Sequence, residues 1–123
     1  MHEKSTPLVL PETSQGSLAD VPRRWARAEP GRVAFSVRSG AGWTDVTSAT
    51  FAADVAALAK GLIAAGIGIG DAVAIMSRTR YEWTVADFAL WAAGAVPVPI
   101  YETSSADQVE WILADSGAVG VIV

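Results

Sequence analysis

The chain has 123 residues, is 51% hydrophobic and carries a net charge of −4, which predicts one globular domain with a buried core. This acidic balance excludes an electrostatic attraction to nucleic acid or to an anionic membrane. There is no cysteine and the one histidine is His2, so a disulfide framework, a thiolate zinc site and imidazole catalysis are excluded. We predict a soluble, cytoplasmic chain, because no apolar run is long enough for a signal peptide or a membrane span.

The first third of the sequence predicts an extended N-terminal segment, a helix and a β-hairpin. Residues 1–16 contain prolines and a final glycine and are predicted to be extended. Ser17 is a favourable N-cap for a helix that reaches about Arg27. The predicted apolar face of this helix comprises Leu18, Val21 and Trp25. Two strand-forming runs, 33–38 and 42–46, flank a short turn and predict a β-hairpin.

The strongest helix signal covers residues 48–65, with Thr47 as its N-cap. Apolar residues recur there at intervals of three and four, which places them on one helix face. These residues are Phe51, Val55, Leu58, Ala59, Leu62 and Ile63. Gly66 follows and supplies the left-handed position that commonly ends a helix.

Three apolar runs follow, at residues 72–76, 95–99 and 119–123. They are apolar throughout rather than alternating, which is typical of strands covered on both faces. The helix-length segments 80–93 and 105–116 separate them. This order predicts an α/β fold: the N-terminal portion of a mostly parallel sheet with flanking helices, preceded by a helix and a β-hairpin.

The sequence stops at Val123, inside a strand of the buried type. An unpaired apolar strand is an unfavourable edge for a natural domain, because it invites aggregation. We therefore expect residues 17–123 to form an incomplete domain, the N-terminal part of a longer chain. Self-association through this exposed sheet edge is a further expectation.

Polar segments follow two of the predicted strands, at the sheet edge where open α/β sheets bind ligands. After the first strand, Arg78 and Arg80 are candidate cofactor-binding residues, because guanidinium groups hold phosphate. The alternative is a polar loop in which Thr79 caps the next helix and the arginines face water. After the second strand, the candidates are Tyr101, Glu102, Thr103, Ser104 and Ser105. Their alternative role is local, with Ser104 or Ser105 capping the following helix.

Two other features have structural interpretations. The run Gly66-Ile-Gly-Ile-Gly70 follows a helix and precedes a strand. Glycine loops that bind phosphate follow a strand and precede a helix, so this run predicts a helix end and a turn instead. Asp87 lies in an apolar helix, with Trp83 and Trp91 four residues away on either side. It is predicted to accept an indole N–H or to pair with an arginine; a buried acid with a raised pKa is the alternative.

Six segments, in order, resemble the first core motifs of AMP-dependent synthetases. They are Trp43-Thr-Asp-Val-Thr, Gly61-Leu-Ile-Ala-Ala-Gly-Ile, Gly70-Asp-Ala-Val-Ala-Ile-Met-Ser, Tyr81-Glu-Trp, Gly94-Ala-Val-Pro-Val-Pro-Ile-Tyr-Glu-Thr-Ser and Ile112-Leu-Ala-Asp-Ser-Gly117. The segments Tyr81-Glu-Trp83 and Pro99-Ile-Tyr-Glu-Thr103 are most similar to the corresponding segments of bacterial long-chain fatty acid–CoA ligases. The resemblance implies that residues 17–123 are the N-terminal fragment of the large domain of such an enzyme.

The resemblance also implies a two-step reaction for the parent enzyme. A carboxylate attacks the α-phosphorus of ATP to give acyl-AMP and pyrophosphate, and coenzyme A then displaces AMP to form a thioester. The parent is expected to use ATP, magnesium and coenzyme A, and to have a fatty acid and the remainder of its own chain as partners. The implied location is cytoplasmic, with peripheral membrane association of the parent left open.

The segments that carry this chemistry in relatives, above all the lysine-bearing phosphate loop, are not found in the sequence. No catalytic residue and no metal ligand is therefore assigned, and the fragment is expected to be inactive and to bind no cofactor by itself. In some relatives the segment at 101–105 lies near the coenzyme A channel and has paired glycines where this chain has Glu102 and Thr103. A non-enzymatic α/β binding or interaction module that keeps only the scaffold remains the alternative.

Overall fold

A computed structural model describes residues 16–123 of the chain. The described helices are α1 (Val21–Ala28), α2 (Ser48–Ala64), α3 (Tyr81–Ala93) and α4 (Ala106–Ser116), and a 3₁₀ turn (Leu18–Asp20) leads into α1. The strands are β1 (Val33–Ser39), β2 (Gly42–Thr47), β3 (Ala72–Met76), β4 (Val96–Ile100) and β5 (Gly120–Ile122). The predicted extended N-terminal segment lies outside the described residues, apart from Gly16.

Strands β3, β4 and β5 form a parallel sheet in the order β4–β3–β5. Strands β1 and β2 form a separate antiparallel hairpin. The predicted α/β fold, with a helix and a hairpin ahead of a parallel sheet, is confirmed. Strands β4 and β5 lie on opposite sides of β3. The connection from β3 to β4 therefore runs to one side of the sheet, and the connection from β4 to β5 runs back past β3 to the other side. The carboxyl ends of the strands at such a reversal are where open α/β sheets bind ligands.

Local sequence signals account for the helix ends. The Thr47 hydroxyl accepts a hydrogen bond from the Thr50 backbone N–H, as predicted for the N-cap of α2. At the other end of α2, Gly66 has a φ of +95° and its N–H donates to the Ile63 carbonyl. The Ile67 N–H donates to the Leu62 carbonyl, which completes a Schellman motif. The glycine run at 66–70 is therefore a helix end and a turn, as predicted.

Helix α1 buries a different face from the one predicted. Leu18 is 66% exposed and Trp25 is 48% exposed, whereas Pro22 is buried. The prediction was wrong because a short helix has two plausible apolar faces, and the face that packs against α2 is the small one that carries Pro22.

The core lies on both faces of helix α3. Ala86 and Leu90 pack with Val73 and Ile75 of the sheet, whereas Val85 packs with Phe51 and Val55 of α2. Ala89 and Leu90 are both fully buried, which follows from this sandwiched position. The apolar stripe predicted for α2 is confirmed at Phe51, Val55 and Ala59, and Ile63 at its end is 55% exposed.

Helix α4 is packed much less closely than α3. It has no buried residue, and its Trp111 is 65% exposed. One side of the sheet is thus supported by α3 and α2, and α4 leaves most of its own surface open. Among residues 16–123, no helix combines the length and apolar character needed to cross a membrane.

Candidate functional site

The two polar segments predicted from the sequence begin side by side at the carboxyl edge of the sheet. The segment 77–80 follows β3 and the segment 101–105 follows β4, and the last residues of these strands, Met76 and Ile100, are register partners. The segments then diverge and line two separate cavities. The pairing of β3 with β4 therefore explains why both polar segments begin at the same edge of the sheet. The two segments do not form one site, because they line different cavities.

The first cavity, which we call the arginine groove, lies between strand β1 and residues 78–84. It has a volume of about 510 Å³, and Phe35 and Tyr81 contribute aromatic surface to it. Its cationic side chains are Arg38 of β1 and the predicted candidates Arg78 and Arg80. Arg38 was missed by sequence reasoning, because it lies 40 residues before Arg78 and no local motif connects the two.

Arg80 is already paired within the groove. Its Nε donates to Glu82 Oε2 at 2.7 Å. This hydrogen bond lowers the pKa of Glu82 to about 2, and the same bond raises the pKa of Arg80. Arg80 also occupies the N-cap position of α3 without a side-chain cap, so the alternative in which Thr79 caps this helix is wrong.

Tyr81 anchors the start of α3 to α2. Its hydroxyl donates a 2.7 Å hydrogen bond to Asp54 Oδ2. Burial, followed by this bond to the carboxylate, raises the pKa of Tyr81 well above its ordinary value. The Tyr81 ring also contacts Phe35 edge-on, with 5.5 Å between the ring centroids. These contacts hold β1 and residues 78–84 at the two sides of the groove.

The second cavity lies between residues 101–105 and helix α4. It has a volume of about 630 Å³ and is lined by Tyr101, Thr103 and Ser104 together with the α4 residues Asp107 and Trp111. Tyr101 is 84% exposed, so the cavity is an open surface depression. Trp111 was not among the predicted site residues.

Ser105 caps helix α4, which confirms one of the two caps predicted, Ser104 or Ser105. Its hydroxyl accepts from the Gln108 N–H at 3.3 Å, and Gln108 Oε1 accepts from the Ser105 N–H at 2.9 Å. This reciprocal capping box satisfies two backbone donors at the helix start. Ser105 therefore has a local role, whereas Ser104 and Thr103 face the second cavity.

Asp87 does not make the predicted contact. Within residues 16–123, its carboxylate accepts no hydrogen bond from an indole and forms no ion pair. Burial raises the pKa of Asp87. Asp87 faces neither cavity, so we assign it no role in binding.

Comparison with known proteins gives the family. The sequence model described as AMP-binding enzyme matches residues 22–123. The chain belongs to the AMP-binding enzyme family. The resemblance to AMP-dependent synthetases is therefore confirmed over nearly all of the described residues.

Individual members of the family show which part of an enzyme is matched. The chain is 46% identical over 119 residues to the long-chain-fatty-acid–CoA ligase FadD15 of Mycobacterium bovis, covering 97% of the chain and 20% of the ligase. It is 40% identical over 101 residues to a feruloyl-CoA synthase of Amycolatopsis, covering 82% and 20%. The fatty acid AMP ligase structure of Legionella pneumophila superposes with a TM-score of 0.78 at 26% identity, covering 85% and 19%. The chain thus spans about a fifth of the length of these AMP-binding enzymes.

Proposed function

We propose that residues 17–123 form the N-terminal part of the large domain of an ATP-dependent long-chain fatty acyl-CoA ligase. The observation that carries this proposal is the 46% identity to the mycobacterial long-chain ligase over 97% of the chain. Similarity to a feruloyl-CoA synthase is lower and covers less of the chain, which favours a fatty acid over an aromatic acid as the substrate of the complete enzyme.

In this proposal the chain supplies scaffold, and the acyl-adenylate and thioester steps are carried out by other parts of the enzyme. Its two lysines are Lys4 and Lys60, and Lys60 lies on the exposed face of α2. Adenylation requires cationic groups or magnesium to neutralise charge on the transferring phosphoryl group. ATP, magnesium and coenzyme A would be held by the complete enzyme, and no catalytic residue is proposed in this chain.

Two segments are proposed to lie near cofactors in the complete enzyme. Residues 101–105 would form a loop on the coenzyme A side, because Thr103 and Ser104 line an open cavity at the carboxyl edge of the sheet. Arg78 and Arg80 would contribute positive charge at the same edge. Glu102 and Thr103, which stand where some relatives have paired glycines, add bulk to the loop.

A chimeric enzyme tests the scaffold role. The 119-residue matching segment of the Mycobacterium bovis ligase is replaced by the corresponding residues of this chain, and pyrophosphate release is measured with palmitate, ATP and coenzyme A. We expect the chimera to retain activity, because the segment supplies core strands and helices. A Phe51→Asp variant of the chimera should lose activity, because it places a charge in the core.

The 123-residue chain alone is measured in the same assay. We expect no pyrophosphate release above background. Release that depends on both palmitate and ATP would refute the scaffold proposal. A chimera that folds, as judged by circular dichroism and thermal unfolding, yet is inactive would also contradict it and would favour a binding or interaction module.

A further inference from the structure

We propose that the arginine groove is a binding site for a phosphate group, with Arg38 and Arg78 as its principal donors. This inference extends the proposed placement of Arg78 near a cofactor to binding by the chain itself, and it departs from the expectation that the chain alone binds no cofactor. It is measured without turnover, so its failure is distinguishable from failure of the ligase proposal.

The groove is assembled from two segments that are distant in the sequence. Arg38 belongs to β1 and pairs in register with Trp43 of β2, whereas Arg78 belongs to the segment that follows β3. Both line the same cavity of about 510 Å³. A cavity of this size holds a phosphate group together with part of the molecule that carries it.

Charge within the groove is unbalanced. Three arginines line it, and Glu82 is the one acidic residue among its lining residues. Glu82 is engaged with Arg80 at 2.7 Å. Among residues 16–123, neither Arg38 nor Arg78 belongs to an ion pair. The groove is therefore positive in a chain whose net charge is −4.

Two nearby carboxylates are bonded to residues of the groove but are not among its lining residues. Asp45 accepts a 2.7 Å hydrogen bond from the Ser36 hydroxyl, and Asp54 accepts one from Tyr81. Neither of these aspartates lines the groove. An anion would balance the positive charge of the lining arginines, and guanidinium groups bind phosphate oxygens through paired N–H donors.

Arg38 contacts an aromatic ring of the neighbouring strand β2. Its guanidinium carbon lies 5.9 Å from the centroid of the Trp43 ring. A cation–π contact at this distance restricts the Arg38 side chain. The Phe35 and Tyr81 rings provide aromatic surface for the body of the ligand.

Isothermal titration calorimetry with sodium pyrophosphate, at fixed ionic strength, tests the site in the 123-residue chain. Arg38→Gln and Arg78→Gln should each weaken binding by about fivefold or more, as expected for loss of a charge-assisted hydrogen bond. Arg27→Gln is the matched control, since it removes the same charge from the exposed side of α1, and it should change affinity less than about twofold. Circular dichroism verifies that each variant is folded.

A second pair of variants adds positive charge instead of removing it. Glu82→Gln releases Arg80 from its ion pair and should strengthen pyrophosphate binding by about twofold or more. Glu29→Gln also removes a carboxylate that pairs with an arginine, in this case Arg32 at 3.6 Å, but it lies outside the groove. It should leave the affinity unchanged. A purely structural role for Glu82 would not predict tighter binding.

The phosphate could be carried by a soluble molecule or by a lipid headgroup, so a parallel arm uses vesicles. Cosedimentation with phosphatidylcholine vesicles is compared with and without phosphatidylglycerol. Pyrophosphate binding that is lost in Arg38→Gln and Arg78→Gln supports a soluble source, and vesicle binding lost in the same variants supports a lipid source. The proposal is overturned if the groove variants and the control variants behave alike with both probes.

Discussion

Gly94 illustrates how a single residue determines the geometry between two elements. It ends helix α3 with a φ of +81°, and its carbonyl accepts a hydrogen bond from the Gly70 N–H. A Cβ at this position would lie 2.9 Å from Cγ1 of Ile69. Glycine is therefore required twice, by the backbone conformation and by the close approach of the turn that precedes β3.

We expect Gly94→Ala to lower the free energy of unfolding by about 2–4 kcal/mol, from left-handed backbone strain plus the clash with Ile69. Gly117→Ala is the control, because Gly117 ends α4 with a φ of +63° and has open space around its Cβ position. It should cost only about 1–2 kcal/mol. Urea unfolding measures both, and equal losses would show that the contact with Ile69 yields without cost.

Tyr81 is the second residue with an identifiable energetic role. Removal of its hydroxyl in Tyr81→Phe leaves the partly buried Asp54 without its 2.7 Å partner. We expect a loss of about 1–2 kcal/mol at neutral pH, measured by urea unfolding. Tyr101→Phe, at an 84% exposed position, should change stability by less than about 0.5 kcal/mol.

The raised pKa of Tyr81 also predicts a pH dependence. In the unfolded chain the tyrosine ionises near its ordinary value of about 10, while the folded chain keeps the proton to higher pH. The stabilisation is therefore complete below about pH 10 and is lost as the pH rises through the higher folded pKa. Unfolding midpoints should fall more steeply above pH 10 in the natural chain than in Tyr81→Phe, and parallel curves would contradict this.

At the scale of elements, helix α3 connects the sheet to α2. An aromatic cluster forms part of this connection, with Phe51 edge-on to Phe35 at 4.9 Å and to Phe88 at 5.5 Å between centroids. Phe51 is completely buried, so the cluster excludes water between α2, α3 and the hairpin. Edge-to-face packing adds to the burial of the rings themselves.

Phe51→Ala should lower the free energy of unfolding by about 3–5 kcal/mol, because it leaves a cavity where three elements meet. Trp111→Ala also removes a large aromatic ring, but from a side chain that is 65% exposed on α4, and should cost less than about 1 kcal/mol. Thermal unfolding monitored by circular dichroism compares the two. Similar losses would indicate that α4 contributes as much to stability as α2 and α3 do.

At the scale of the whole molecule, the two edges of the parallel sheet differ in character. Strand β4 directs its Val96 N–H toward the β3 side, where the Asp71 carbonyl accepts it. Because neighbouring residues of a strand point to opposite sides, Pro97 and Pro99 occupy the outward positions and offer no donor there. The outer edge of β5 has no such protection, and Val121 and Val123 on this strand and after it are 43% and 92% exposed.

We therefore expect the 123-residue chain to self-associate through β5 and to bind hydrophobic dyes. Val121→Lys should reduce both effects, whereas Val96→Lys on β4 adds the same charge at a similarly exposed position and should have less effect. Sedimentation velocity and dye fluorescence measure the outcome. Extension of the chain by further sheet strands should reduce both self-association and dye binding. A sharp monomeric boundary without dye binding would contradict the prediction, because it would show that the edge of β5 needs no covering segment.

The sequence by itself determined the kinds of elements and most of their ends. Thr47, Gly66 and Gly94 act within a few residues of their own positions, and the three apolar runs 72–76, 95–99 and 119–123 are local signals of parallel strands. The expectation that these strands are covered on both faces is met by β3 only, because β4 and β5 keep exposed residues. The position of the polar segments at the sheet edge followed from the strand ends. These features were predictable because capping, backbone conformation and periodicity depend on neighbouring residues.

Only the tertiary structure decided which surfaces are buried and which distant side chains meet. Helix α1 buries Pro22 instead of Trp25, because its packing against α2 depends on the shape of that neighbour. The placement of Arg38 and Arg78 around one cavity, and the hydrogen bond from Tyr81 to Asp54, depend on how the hairpin, α2 and α3 pack together. These residues lie 27 and 40 positions apart, and local sequence patterns do not record which distant residues packing brings to the same place.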